Sequence, residues 1–281
     1  MRLAADLPPE RLDRSRYELV VDERFDGPAL DTARWVPHYL PQWSTPERSA
    51  ARYALGGSGT DASTPGLTLR IDHDQPAWSP EFDGELRVSN LQTGVRSGPA
   101  GSGSGQHPFR EGLVVRTAQP ERPLWLPHYG LIEVSLVPCL HPRALTALWL
   151  IGFESTPEQS GELCVVELFG RDIQPDGSGR VGVGVHPFGD PGLRDDFAQV
   201  ATAIDLRDEH RYTVEWMPGA ARFYLDDTLL AEVDQSPAYP LQLMLNLYEL
   251  PHGSPRDPAD YPLEARITSV RHWRPREIVE A

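Results

Sequence analysis

Cysteine is scarce in this chain of 281 residues, where only Cys139 and Cys164 occur. A chain stapled by disulfides needs more than one pair, so a disulfide framework is excluded and both thiols are read as reduced. Basic residues are also short, 26 Lys and Arg against 41 Asp and Glu, which leaves a formal charge of −15. Nucleic-acid affinity comes largely from cations that neutralise phosphates, so a nucleic-acid partner is excluded and a strongly anionic polysaccharide is disfavoured. Neutral glycans stay open, and the surplus acid serves solubility. No apolar run reaches the 18 residues of a membrane span, so no membrane partner is expected. Met1 to Glu10 lacks the apolar stretch of a secretory signal, which places the protein in the cytoplasm if the sequence is complete and outside the cell if a leading segment was trimmed.

Several kinds of site are missing as well. The nine histidines contain no His-x-His or His-x-x-x-His pair, so zinc has no support, and Asp72-His73-Asp74 reads as a solvated turn. There is no Gly-x-Ser-x-Gly elbow for a serine hydrolase. Val181-Gly182-Val183-Gly184 is followed by His186-Pro187 where a dinucleotide fingerprint needs a helix start. Ser97 to Gly105 has the composition of a flexible segment, and without Gly-Lys-Ser/Thr behind it cannot cradle a phosphate. No cofactor is expected.

What is present is a core and many short strands. Hydrophobic residues make up 40% of the chain and aromatics 9%, enough to exclude a disordered polymer. Segments rich in Val, Leu, Tyr and Phe alternate with Gly, Pro, Asp and Asn clusters, the pattern of an all-β sandwich. They cover residues 17–25, 67–71, 113–117, 129–137, 145–153, 163–169, 180–186, 212–216, 221–225, 241–247 and 265–273. Asp226-Asp227 between Leu225 and Leu229-Leu230 predicts a tight hairpin turn. With no dividing linker, residues 17–281 read as one domain, expected to be a monomer, behind a leader over residues 1–16 that drapes or frays. The proline-rich stretch 251–262 reads as a stiff connection that wraps the sheet or rims a cleft.

Chemistry concentrates in Gly161-Glu162-Leu163-Cys164-Val165-Val166-Glu167. Side chains on a regular strand alternate with period two, so Glu162 and Glu167 face opposite sides. One extra residue in a β-bulge restores a common face, and bulges are frequent beside active sites. Two carboxylates on one face can flank a glycosidic oxygen; the plainer reading leaves both as solvated residues of an exposed strand.

This heptapeptide resembles the catalytic strand of glycoside hydrolase family 16, Glu-x-Asp-x-x-Glu in its bulged, laminarinase-like form. Further segments resemble the family in the same order: Asp22 to Gly27 with Leu30-Asp31 and Trp35, Tyr129 to Val134, Ala147 to Leu150, Val183 to His186, His210 to Trp216, Arg222 to Asp227, and Leu243 to Leu247. The resemblance implies a β-jelly roll of two antiparallel sheets with a concave cleft, and a retaining endo-acting hydrolase of a neutral β-glucan, β-1,3-linked first. It implies Glu162 as nucleophile and Glu167 as acid and then base. A glycan-binding protein that no longer cuts, or a transglycosylase, are the alternatives.

Cys164 departs from the family, which places an aspartate there. A neutral thiol does not raise its neighbours' pKa values as a carboxylate does, so Glu167 is expected to hold its proton less well and turnover to be slow or shifted to lower pH. His186 matches a cleft histidine, and a structural histidine fits as well. Trp149 is either core or cleft floor. Trp43, Trp78, Trp125 and Tyr39 are candidate sugar platforms in loops. Asn246 either bonds a sugar hydroxyl or braces the sheet. The family's structural calcium uses a last-strand aspartate, which Ile267 to Trp273 lacks, so no metal is expected.

Overall fold

The computed structural model describes residues 1–56 and 65–276, so residues 57–64 and 277–281 of the expected domain lie outside the described residues. The strands begin with β1 (Arg2–Leu3), β2 (Tyr17–Glu23), β3 (Arg52–Leu55), β4 (Leu67–Ile71), β5 (Arg87–Gln92), β6 (Gly94–Val95) and β7 (Arg122–Pro123). Next come β8 (Gly130–Val137), β9 (Ala144–Gly152), β10 (Glu162–Phe169), β11 (Gly179–His186) and β12 (Asp196–Thr202). The last are β13 (His210–Met217), β14 (Ala220–Leu225), β15 (Thr228–Val233), β16 (Leu241–Glu249) and β17 (Leu263–Pro275). No helix among the described residues is long and apolar enough to cross a membrane.

Two antiparallel sheets form a sandwich. The larger runs β1-β15-β14-β13-β8-β17-β4-β3, with β2 also on β17, and the smaller runs β12-β11-β10-β9-β16-β5. Period-two alternation decides which side chains meet between them. Leu163 and Leu168 of β10 and Leu241, Leu243, Leu245 and Leu247 of β16 pack in one cluster with Ile132, Val134 and Leu136 of β8 and Tyr212, Val214 and Trp216 of β13. The other face of the smaller sheet is apolar too: Ala147, Trp149 and Ile151 of β9 and Met244 and Tyr248 of β16 cluster with Tyr39, Trp43 and Trp78 from the loops. A sheet buried on one face by its partner and on the other by loops is shaped to hold a cleft.

The turn at Asp226-Asp227 forms, with φ of 47° and 68° at its two residues, the left-handed pair that a type I′ hairpin requires. Two expectations need correction. Residues 113–117 form no strand; their backbone bonds go to the loops, with Val115 N–H donating to Ser102 O at 2.7 Å and Arg116 N–H to Gln42 O at 2.7 Å, while Leu113 and Val115 bury in the second cluster. Ser97 to Gly105 is not a loose segment. Gly98 N–H donates to Ser104 O at 2.7 Å, and a Cβ on Gly105 would come within 2.7 Å of the Trp43 ring, so the glycine lets the loop lie against the indole. Of the two readings of residues 1–16, draping is the one the contacts match: β1 pairs with β15, the Met1 amine meets Asp196 at 2.7 Å, and Arg14 pairs with Asp227 at 2.5 Å and with buried Glu133. The stretch 251–262 is tied to the smaller sheet through Arg143, which donates to Ser254 O at 2.9 Å.

Candidate active site

β10 is irregular where the chemistry lies. Against β9, Glu162 opposes Ile151, Cys164 opposes Trp149, Val166 opposes Leu148 and Glu167 opposes Ala147, which leaves Val165 without an opposite. Against β11 the register shifts between Cys164 and Glu167. Val165 and Val166 both turn into the main core, so the alternation skips one beat. Glu162 and Glu167 therefore line one cavity of about 290 Å³. Its walls include Trp149, Tyr39, Tyr248, His107, His186 and Phe188. Across the ladder Glu167 meets Gly182, where a Cβ would sit 2.9 Å from the Glu167 Cβ and 2.7 Å from the Phe197 ring; only glycine leaves the carboxyl its place.

Burial governs the electrostatics. It pushes the Glu162 carboxyl well above the ordinary value of 4.5, and the nearby Glu167 charge adds to the push. Burial also raises Glu167, with His186 and the Cys164 thiol offsetting part of the rise. Cys164 is fully buried and, with both carboxyls beside it, held firmly as a thiol. The expected drift of the site to lower pH is thus opposed: removal from water does for Glu167 what the missing aspartate would have done. Two acids this close titrate as a pair.

His186 opposes Glu162 in the ladder, its Nδ1 lies 2.7 Å from Asp195 Oδ1, and its ring stacks on Phe197 at 4.9 Å. Asp195 was not found by sequence reasoning; it sits in a loop with no periodicity to mark it. His107 is likewise new: enclosed between Trp149 at 5.5 Å and Phe188 at 4.7 Å, it is driven down to about 4 by burial.

Of the residues expected to bind sugar, Trp149 lies in the cleft floor and Tyr39 in its wall, edge-on to Tyr248 at 5.6 Å. The others do not line this cleft. Trp43 is completely buried with its indole N–H donating to Gln106 O at 2.7 Å, and Trp78 is buried with its N–H on Tyr39 O at 2.9 Å. Both anchor loops, as large apolar rings in loops do when backbone acceptors stand ready for the indole. Trp125 packs at the edge of the main core against Trp35 at 5.9 Å. Asn246 is sealed beneath the cleft and donates to Asn90 Oδ1 at 2.5 Å, a brace between β16 and β5.

No family model matches the chain, and no curated protein matches it in sequence. Solved structures do. A GlcNAcα1-4Gal-releasing endo-β-galactosidase from Clostridium perfringens aligns with a TM-score of 0.76 at 24% identity, over 97% of this chain. The chain spans 66% of that enzyme's length. A non-specific endo-β-1,3(4)-glucanase from family GH16 aligns at 0.65 with 18% identity, over 95% of both chains. The laminarinase from Rhodothermus marinus aligns at 0.62 with 18% identity, over 92% of this chain and 97% of its own. An all-antiparallel sandwich whose smaller sheet carries the cleft, shared with these enzymes along nearly its whole length, gives this chain the jelly-roll fold of glycoside hydrolase family 16.

Proposed function

We propose that the protein is a retaining endo-acting glycoside hydrolase of a neutral β-linked glycan. The observation that carries the reading is the bulge at Val165, which turns Glu162 and Glu167 onto one cleft face. In this reading Glu162, as the anion, attacks the anomeric carbon while Glu167 donates its proton to the leaving oxygen. Glu167 then takes a proton from the water that releases the glycosyl-enzyme. Burial raises both carboxyls, Glu162 the further, so the pair titrates together and the assignment of Glu167 as the acid rests on the resemblance of the motif. Burial also means that Glu162 surrenders its proton only above the ordinary carboxylate range, so the acid limb of the pH–rate profile is expected above pH 4.5. His186, held by Asp195, faces the pair as a polar helper. Trp149 and Tyr39, both largely buried, contribute the small apolar ring surface left at the cleft, against which a pyranose packs.

β-1,3-glucan is the first substrate, on the likeness of the bulged motif to laminarinase-like enzymes. The higher TM-score with the endo-β-galactosidase supports a second, a glycan with internal β-galactoside bonds. Transglycosylation uses the same intermediate, and a binding protein that no longer cuts uses the same cleft; products separate them. The test is release of reducing ends from laminarin, lichenan, agarose and xyloglucan. Glu162→Gln and Glu167→Gln are each expected to lower turnover by about 10²- to 10⁴-fold on whichever substrate is cut. Hydrolysis that persists unchanged in both variants defeats the proposal, and tight binding without product favours the binding protein.

A further inference from the structure

Beyond the Glu162 end of β10 lies a second, larger cavity of about 710 Å³. It shares His107 and Phe188 with the catalytic cleft, so the edge-to-face pair of these rings forms a sill between the two. Its size falls in the range that encloses a ligand of several polar groups on an apolar frame. Phe109 and Phe188 supply apolar surface, and Phe188 is 53% exposed with no cover on its outer face among the described residues.

The polar end is built around Glu154. This residue is only 8% exposed and is held with φ at 55°, in the left-handed region that a glutamate seldom takes. The His107 N–H donates to Glu154 Oε1 at 2.6 Å, and Arg96 donates to the Glu154 main-chain oxygen. The second carboxyl oxygen has no hydrogen-bond partner among the described residues. Burial raises this carboxyl to about 7, partly offset by His107 and Arg96. The residue is mostly buried but its second oxygen is not sealed in, so it is free to accept a hydrogen bond from a ligand hydroxyl in the chamber. Anions fit poorly, because Glu154 and Glu158 both line the chamber while Arg96 is already engaged. Aromatic faces beside an accessible accepting oxygen suit a sugar, which has an apolar face and a rim of hydroxyls.

We propose that this chamber is a substrate subsite that seats a neutral sugar unit joined to the one at the Glu162–Glu167 pair, with Glu154 as its specificity-determining group. The proposal deepens the glycoside hydrolase reading and rests on it for the identity of the ligand. It is tested with a p-nitrophenyl β-glycoside, which occupies the pair alone, and with laminarihexaose and an agarose-derived hexaose, which are long enough to enter the chamber. Glu154→Ala is expected to lower the ratio of kcat/KM for the hexaose over the aryl glycoside by about tenfold. Phe188→Ala is expected to lower it in the same direction, and so exposed a side chain can be truncated without loss of the fold. A ratio equal to that of the unaltered protein in both variants overturns the chamber while leaving the hydrolase standing. If the unaltered protein cuts none of these probes and none of laminarin, lichenan, agarose and xyloglucan, the hydrolase reading fails by itself. Titration calorimetry with the same hexaoses then decides the chamber: a Kd about tenfold weaker in both variants supports it, and equal affinity or no binding at all overturns it.

Discussion

Cys164 sits on the strand that carries the two acids, and its identity separates what the motif implies from what the cleft does. An aspartate there would add a third carboxyl beside a pair that is already largely buried. The thiol adds none, yet Glu162 and Glu167 both stand above the usual carboxylate range because burial disfavours their charged forms. Cys164→Asp is therefore expected to move the whole pH–rate profile upward, since a new anion raises the pKa of each neighbour. A kcat/KM profile on a soluble substrate reads this directly, and a profile that stays in place means that the residue does not communicate with the pair. Residue identity was most legible on this strand, where Glu162, Cys164 and Glu167 are seven residues' worth of local information plus one bulge. His107, Glu154, Asp195 and Tyr248 were not, because they reach the site from loops and strand ends whose sequences carry no period.

Strands were more legible than loops for the same physical reason. The expected segments 67–71, 221–225 and 241–247 agree with β4, β14 and β16 to within two residues, because Val, Leu, Ile and Phe on alternating positions mark a buried face. β5, with Arg87, Ser89, Asn90 and Gln92 in its six residues, escaped, and so did the edge strand β12. Loop tryptophans were read as exposed platforms, but a loop laid over a sheet makes its own small core. Trp43 shows this: it is fully buried, bonded to Gln106 O, and touched by the backbone at Gly105. Trp43→Ala is expected to cost about 3–5 kcal/mol of stability, measured as a lower denaturant midpoint. A large loss of glycan affinity with an unchanged midpoint would instead restore it to the surface as a sugar platform.

Taken whole, the molecule divides its acids between two settings. All 26 of its basic residues are arginine. Their planar forks suit buried carboxylates: Arg271 meets Glu133 at 3.1 Å, and Arg256 meets Glu249 at 2.9 Å. The cleft acids Glu154, Glu162 and Glu167 have no such ion pair among the described residues, and all three are raised. Glu154, raised from 4.5 to about 7, binds more protons folded than unfolded in that interval, so its contribution to stability is present below pH 4.5 and is lost as pH rises to about 7. His107, lowered from 6.5 to about 4, works in the opposite sense and masks the slope in the unaltered protein. Glu154→Gln exposes it: relative to the unaltered protein, the variant is expected to gain stability progressively from pH 4.5 to about 7 in urea unfolding, then level off. A difference independent of pH would mean that Glu154 is solvated. The proposed hydrolysis depends on the bulge that turns Glu162 and Glu167 onto one cleft face, and covalent trapping addresses it most directly. Incubation with an activated 2-deoxy-2-fluoro glycoside of the preferred sugar, followed by peptide mass mapping, is expected to find the glycosyl group on Glu162. A label on Glu167, or turnover with inverted product and no label, would contradict it.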